Sequence, residues 1–152
     1  MTNNDILRRL RYIFDLDDSK VIAIFGLADL QVTRAQISDW LKKEEDESFQ
    51  ECQDFELAAF LNGFITEKRG PKDGPGPVPE KILTNNLVLV KLKIALNLKS
   101  EDILELIGLK LSKHELSAFF RKPDHKHFRE CKDQVLRNFL IGLQNKFRNS
   151  SE

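Results

Sequence analysis

The chain is poor in the residue types that carry most recognisable chemistry: two Cys, three His, one Trp and one Tyr in 152 residues. Cys52 and Cys131 form no Cys-x-x-Cys and are too few for a disulfide framework, so they are read as reduced thiols in a packed interior. There is no phosphate-cradling Gly-rich loop ending in Lys-Ser/Thr, no Gly-x-Ser-x-Gly and no His-Glu-x-x-His. All three histidines fall in the second half, so a His-dependent site would sit in one half only. These absences argue against an enzyme, and no cofactor or metal is expected. No apolar run approaches the ~18 residues of a membrane span. The polar, acidic start Met1-Thr-Asn-Asn-Asp is not read as a signal peptide.

Proline is nearly confined to one place. Four of the five prolines, with three of the seven glycines, lie between Gly70 and Pro79. Such a stretch forms neither helix nor central strand, so residues 71–82 are read as an extended, fairly stiff linker. Strand-like alternation is scarce elsewhere, and the expected fold class is all-α.

What is present is repetition. Thr2-Asn-Asn returns as Thr84-Asn-Asn, and Gly26-Leu27 as Gly108-Leu109. Phe49-Gln-Glu-Cys52-Gln-Asp54 returns as Phe128-Arg-Glu-Cys131-Lys-Asp133, and Phe60-Leu-Asn-Gly63 as Phe139-Leu-Ile-Gly142. We read this as a tandem duplication in pseudo-two-fold arrangement: repeat one over 1–70, repeat two over 83–148 and a frayed tail over 149–152. The formal charge of zero hides a divergence. Residues 1–70 carry 9 Lys+Arg against 14 Asp+Glu, and residues 83–152 carry 13 against 8. The repeats are expected to pack on each other through these charges, or the basic one to meet an anionic partner.

Each repeat predicts four helices, at about 4–14, 18–27, 34–43 and 49–69, and at about 86–96, 101–109, 113–122 and 126–147. The 3, 4 spacing of Leu7, Leu10 and Phe14, and of Leu89, Leu92 and Leu96, gives helix one an apolar face, with Asn as its N-cap. Asp17 and Ser100 are candidate caps of helix two. Thr33-x-x-Gln36 and Ser112-x-x-Glu115 are capping boxes for helix three. Ser48-x-x-Glu51 predicts the start of helix four, with Phe49 and Cys52 on its apolar stripe, and Gly70-Pro71 its end in the first repeat. The mid-helix Gly63 and Gly142 predict a close helix–helix approach in both copies.

The tandem Thr-Asn-Asn, Gly-Leu, Phe-x-Glu-Cys-x-Asp and Phe-Leu-x-Gly blocks resemble the YehS-like family of small bacterial proteins of unknown function, over essentially the whole chain. The resemblance implies a bacterial cytoplasmic protein built from a duplicated helical unit; it implies no activity, cofactor or catalytic residue.

Helices two and three of each repeat also resemble a helix-turn-helix, although five residues (Ala28 to Val32) and two residues (Lys110, Leu111) are inserted before helix three. In that reading the N-terminus of helix three faces an anionic partner. The candidate face in repeat two is Lys110, Lys113, His114, Arg121, Lys122, Lys126 and Arg129; in repeat one, more weakly, it is Arg34, Gln36, Lys42 and Lys43. Asp124-His125-Lys126-His127 with Cys131 invites a metal reading, since His127 and Cys131 would share a helix face. The first repeat has Asp46, Ser48 and Cys52 there, and a solvated helix start is preferred. The charge run Lys42–Glu47 is read as a solvated loop. The leading functional reading is a protein-binding or adaptor module; DNA or RNA binding, mainly through repeat two, is the alternative.

Overall fold

The computed structural model describes residues 1–108 and 110–149. Leu109 of the second Gly-Leu pair and tail residues 150–152 lie outside them. The described residues hold eight α-helices and no strand. The chain divides into two compact units, Met1–Leu83 and Thr84–Glu152.

The first unit contains α1 (Asn3–Ile13), α2 (Asp18–Leu27), α3 (Arg34–Leu41) and α4 (Asp54–Arg69). Its core is built from Leu7 and Leu10 of α1, Ile24 and Phe25 of α2, Ile37 and Trp40 of α3, and Leu57, Phe60, Leu61 and Phe64 of α4. Several of the phenylalanines serve apolar packing here: Phe25 lies 5.6 Å from Trp40 and 5.2 Å from Phe60 between ring centroids. The second unit contains α5 (Asn85–Ala95), α6 (Ser100–Ile107), α7 (Lys113–Phe119) and α8 (Asp133–Gln144), followed by a π-helical turn, Asn145–Asn149. Asn149 is therefore part of that turn, its amide donating to Asn145 Oδ1 at 3.0 Å. The second core is mostly aliphatic, with Leu89, Leu92, Ile103, Ile107, Leu116, Leu136, Leu140 and Leu143 around Phe139.

Gly63 and Gly142 bring helices together. A Cβ on Gly63 would overlap the carbonyl of Ile24 on α2, whose carbon would lie only 2.8 Å away. A Cβ on Gly142 would meet the Leu106 carbonyl of α6 in the same way, again with its carbon at 2.8 Å. Each glycine thus lets α4 or α8 lie against the backbone of its neighbour, and this contact offsets the ~1 kcal/mol that Gly costs within a helix.

Five helix starts differ from the sequence-based expectation. The caps of α1 and α5 are Thr2 and Thr84, whose hydroxyls accept from Asp5 and Leu87 N–H at 3.1 and 3.2 Å. Asp17 does cap α2, accepting from Lys20 N–H at 2.8 Å. At α6 the cap position is Lys99 rather than Ser100, its N–H held by Asp102 at 2.8 Å. The largest difference is at α4 and α8. They begin at Asp54 and Asp133, so Ser48 caps no helix, and Phe49 and Cys52 precede α4.

The asparagines after the threonine caps explain that delay. Asn4 Nδ2 donates to the carbonyls of Trp40 and Gln50 at 2.8 and 2.9 Å, while its Oδ1 accepts from Cys52 N–H at 3.0 Å. Asn86 binds the carbonyls of Phe119 and Arg129 at 3.0 and 2.8 Å and the N–H of Cys131 at 2.9 Å. Asn3 and Asn85 donate to the Cys52 and Cys131 carbonyls, both at 3.0 Å, and to the carboxylates of Asp54 and Asp133 at 2.7 and 2.8 Å. Side-chain amides thus take the backbone groups of residues 50–52 and 129–131 that a longer helix would have used.

Gly70, at φ 89°, ends α4. Residues 71–78 are exposed and non-helical, and Leu83 N–H is fixed to Asp54 Oδ2 at 2.9 Å.

Candidate anion-binding face

Both helix-three capping boxes form in full. Thr33 and Gln36 exchange hydrogen bonds at 2.8 and 3.1 Å, and Ser112 and Glu115 at 3.3 and 3.0 Å. Gln36 is thereby engaged in the cap. Arg34 is engaged too: its guanidinium donates to Ser19 Oγ at 2.7 Å and lies 3.7 Å from Asp18, which also binds Arg11 at 2.6 Å. Lys42 binds Asp39 at 2.8 Å, which raises the lysine pKa above its ordinary value. Lys43 lies beside Glu44 and Glu45, with Asp5 and Arg8, in a hollow under the α1 start. The first unit's cations are mostly matched by its own carboxylates.

The second unit differs at the equivalent positions. Where the first has Arg11, Asp17, Asp18, Arg34 and Ala35, the second has Lys93, Lys99, Ser100, Lys113 and His114. Lys93, Lys99, Lys113 and His114 line one open groove with Leu98, Ser100, Glu101 and Ser117. The carboxylate there is Glu101, which binds Lys113 at 2.8 Å; that bond holds the Glu101 carboxyl below its ordinary pKa. Ser100 cannot do for Lys93 what Asp18 does for Arg11. Lys93 instead sits over the ring of Phe120, 5.3 Å from its centroid.

Phe120 also borders the next basic cluster. The loop after α7 gathers Phe120, Arg121, Lys122, Asp124, His125 and Lys126 around a second open hollow. The loop Lys42–Glu47, solvent-exposed from Lys43 onward, is its acidic counterpart in the first unit. His125 takes the place of Asp46 in detail. Asp46 accepts from Ser48 N–H at 2.8 Å, and His125 Nδ1 accepts from His127 N–H at 3.0 Å. With Nδ1 accepting, a neutral ring carries its proton on Nε2. The ring's Nε2 lies 3.5 Å from Arg121 Nη1, so guanidinium and imidazole stand side by side.

The candidate residues thus fall into two adjoining clusters. Lys113 and His114 lie in the α6–α7 groove; Arg121, Lys122 and Lys126 lie in the loop after α7. Arg129 stands apart, paired with Glu115 at 3.6 Å, and Lys110 is exposed on the α6–α7 connection. Sequence reasoning missed Lys93 and Lys99. Aligning the repeats position by position finds them, because Asp17 becomes Lys99 and Arg11 loses its partner when Asp18 becomes Ser100. The metal arrangement does not form: residues 128–132 are not helical, Cys131 is buried, and His125 and His127 are exposed. No group of three or more potential metal ligands occurs among the described residues. Nor is any helix among them long and apolar enough to cross a membrane.

The sequence model of a family described as "Protein of unknown function (DUF1456)" matches this chain twice, over residues 3–70 and 85–149. The chain belongs to the DUF1456 family. It is 48% identical over 148 residues to the "Uncharacterized protein YehS" of Escherichia coli (strain K12), a match covering 94% of each chain. No solved structure matches the chain significantly. Each stretch matched by the DUF1456 family contains one of the buried asparagines with its hydrogen bond from the cysteine N–H, Asn4 with Cys52 or Asn86 with Cys131, and the basic clusters lie within the second.

Proposed function

We propose that this chain is a non-enzymatic binding module of the bacterial cytoplasm, built by tandem duplication, whose second unit holds an anionic macromolecular partner. The observation that carries the reading is the exchange of Asp17 and Asp18 for Lys99 and Ser100. With Glu101 standing where the first unit has Ser19, the formal charge of the lining goes from 0 (Arg11 and Arg34 against Asp17 and Asp18) to +2 (Lys93, Lys99 and Lys113 against Glu101) in a groove facing solvent. Surface cations in excess of the nearby carboxylates cost little in water and add long-range attraction for an opposite charge. An acidic protein surface and a nucleic acid both present that chemistry.

We keep the helix-turn-helix-like reading only as a means of presenting charge. The connections from α2 to α3 and from α6 to α7, residues 28–33 and 108–112, are longer than the 3–4-residue turn of that motif. Of the four side chains that a helix-turn-helix would aim at base edges, Arg34, Gln36, Lys113 and His114, the first three are engaged by Asp18 with Ser19, by Thr33 and by Glu101, and His114 lines the groove. These engagements favour charge recognition over base readout.

Binding of the full-length chain to labelled poly-glutamate, duplex DNA, single-stranded DNA and RNA tests the proposal. Association with at least one of them, weakening as salt rises, is the expected result. No association with any at low salt contradicts it.

A further inference from the structure

Resting on that reading, we propose that the anionic partner is a nucleic acid, held by its phosphodiester backbone along a strip formed by the α6–α7 groove and the loop after α7. The two clusters are joined, because Lys93 lines the groove while its ammonium lies over Phe120, which lines the loop hollow. The strip therefore runs from Lys99 and Lys113 past Lys93 to Arg121, Lys122 and Lys126.

Its length suits a polyanion better than a single ion. The seven residues of α7 separate the clusters by roughly 10 Å at 1.5 Å per residue. At about 3.4 Å of duplex axis per phosphate on each strand, that is the span of about three phosphates. Its composition suits a nucleic acid better than a protein. Protein interfaces centre on apolar or aromatic anchors with charge depleted at the middle. Here the groove offers three lysines, a histidine, two serines and one carboxylate, Glu101, around one buried leucine, Leu98. The large exposed apolar side chains of this unit, Ile94, Ile141 and Phe147, line neither hollow. Arg121 and His125 stand side by side in the loop cluster, Nη1 3.5 Å from Nε2, and both side chains carry N–H donors suited to a phosphate oxygen. Lysines dominate the strip, and as point charges on flexible stems they follow a backbone without reading sequence.

The test compares the full-length protein with Lys99→Glu/Lys122→Glu, which reverses charge in both clusters, and with Lys72→Glu/Lys81→Glu, which makes the same net change in the linker. Anisotropy is followed for labelled duplex DNA, single-stranded DNA, RNA and poly-glutamate across a salt series. All four substituted lysines are exposed, and circular dichroism checks that the variants stay helical. The expected result is nucleic-acid binding with a log–log salt slope of about −3 to −5 on duplex. The strip variant should bind at least tenfold more weakly, with a slope shallower by about two, while the linker variant keeps most of its affinity. Binding of poly-glutamate through the strip without nucleic-acid binding overturns this inference and leaves the broader proposal standing. No binding of any probe overturns both. Equal weakening of the two variants overturns the strip.

Discussion

Asn4 and Cys52, 48 residues apart, are joined by a buried hydrogen bond from the Cys52 N–H to the Asn4 side-chain oxygen. The same amide closes the carbonyls of Trp40 and Gln50, so one side chain ties α1 to the end of α3 and to the segment before α4. Asn86 and Cys131 repeat the relationship. Asn4→Ala leaves the Cys52 N–H and two carbonyls without their partner. At about 1–3 kcal/mol for each buried unsatisfied group, partly relieved by water, it should destabilise the first unit by roughly 3 kcal/mol. Urea denaturation reads this directly; a loss below about 1 kcal/mol would show that the lock is dispensable.

Two glycines give opposite signs. Gly26, inside α2, has nothing within 4 Å of its ideal Cβ position, so Gly26→Ala should stabilise by about 0.5–1 kcal/mol. Gly63→Ala drives a methyl group into the Ile24 backbone, and the strain should exceed the same propensity gain, for a net loss of about 2 kcal/mol or more. Thermal melts of the two variants decide it, and a stabilised Gly63→Ala contradicts the close approach of α2 and α4.

The two thiols should be unreactive at neutral pH. Burial, reinforced by neighbouring carboxylates, pushes Cys52 up to about 12 and Cys131 up to about 11 from an ordinary value of 9.0. The thiolate is the reactive form, so a thiol reagent should modify both only as the chain unfolds. Because the folded values are raised, this contribution to stability is complete below pH 9. Above it the unfolded chain releases protons that the native chain keeps, and the contribution is lost as pH rises to about 11–12. Rapid modification of the native protein near neutral pH would contradict the buried placement.

The caps provide a smaller, local check. Thr33→Ala and Ser112→Ala each remove the side-chain half of a complete capping box and should cost about 1 kcal/mol. Ser48→Ala should change stability by less than about 0.5 kcal/mol, since Ser48 is exposed and caps no helix. A Ser48→Ala loss as large as that of Thr33→Ala would place the α4 boundary elsewhere.

The architecture was legible where the signal is local. The capping boxes at Thr33 and Ser112, the stop at Gly70-Pro71 and the apolar spacing of Leu7 and Leu10 all act within a turn or two of chain. The mid-helix glycines were legible as close packing because no local preference explains them. The start of α4 was not, since Phe49 and Cys52 fit a helical stripe and only the distant Asn4 holds that segment out of the helix. The Thr-Asn-Asn block reads as a simple cap, whereas its asparagines reach across 33 to 51 residues. The candidate face was legible in part. Lys113, Lys122 and Lys126 stand out as a basic cluster in sequence, but Lys93 and Lys99 join them only because α5, α6 and α7 meet at one groove. That Gln36, Arg34 and Lys113 are engaged by neighbours depends on side-chain geometry that spacing does not reveal.

Amide chemical-shift mapping of the full-length protein titrated with a short DNA duplex tests the central claim most directly. Shifts confined to the neighbourhood of Lys93, Lys99–Glu101, Lys113–Ser117 and Phe120–Lys126, with Arg11, Asp17, Asp18 and Arg34 undisturbed, are the expected result. Shifts centred on the first unit, or none at a saturating duplex concentration in low salt, would contradict it.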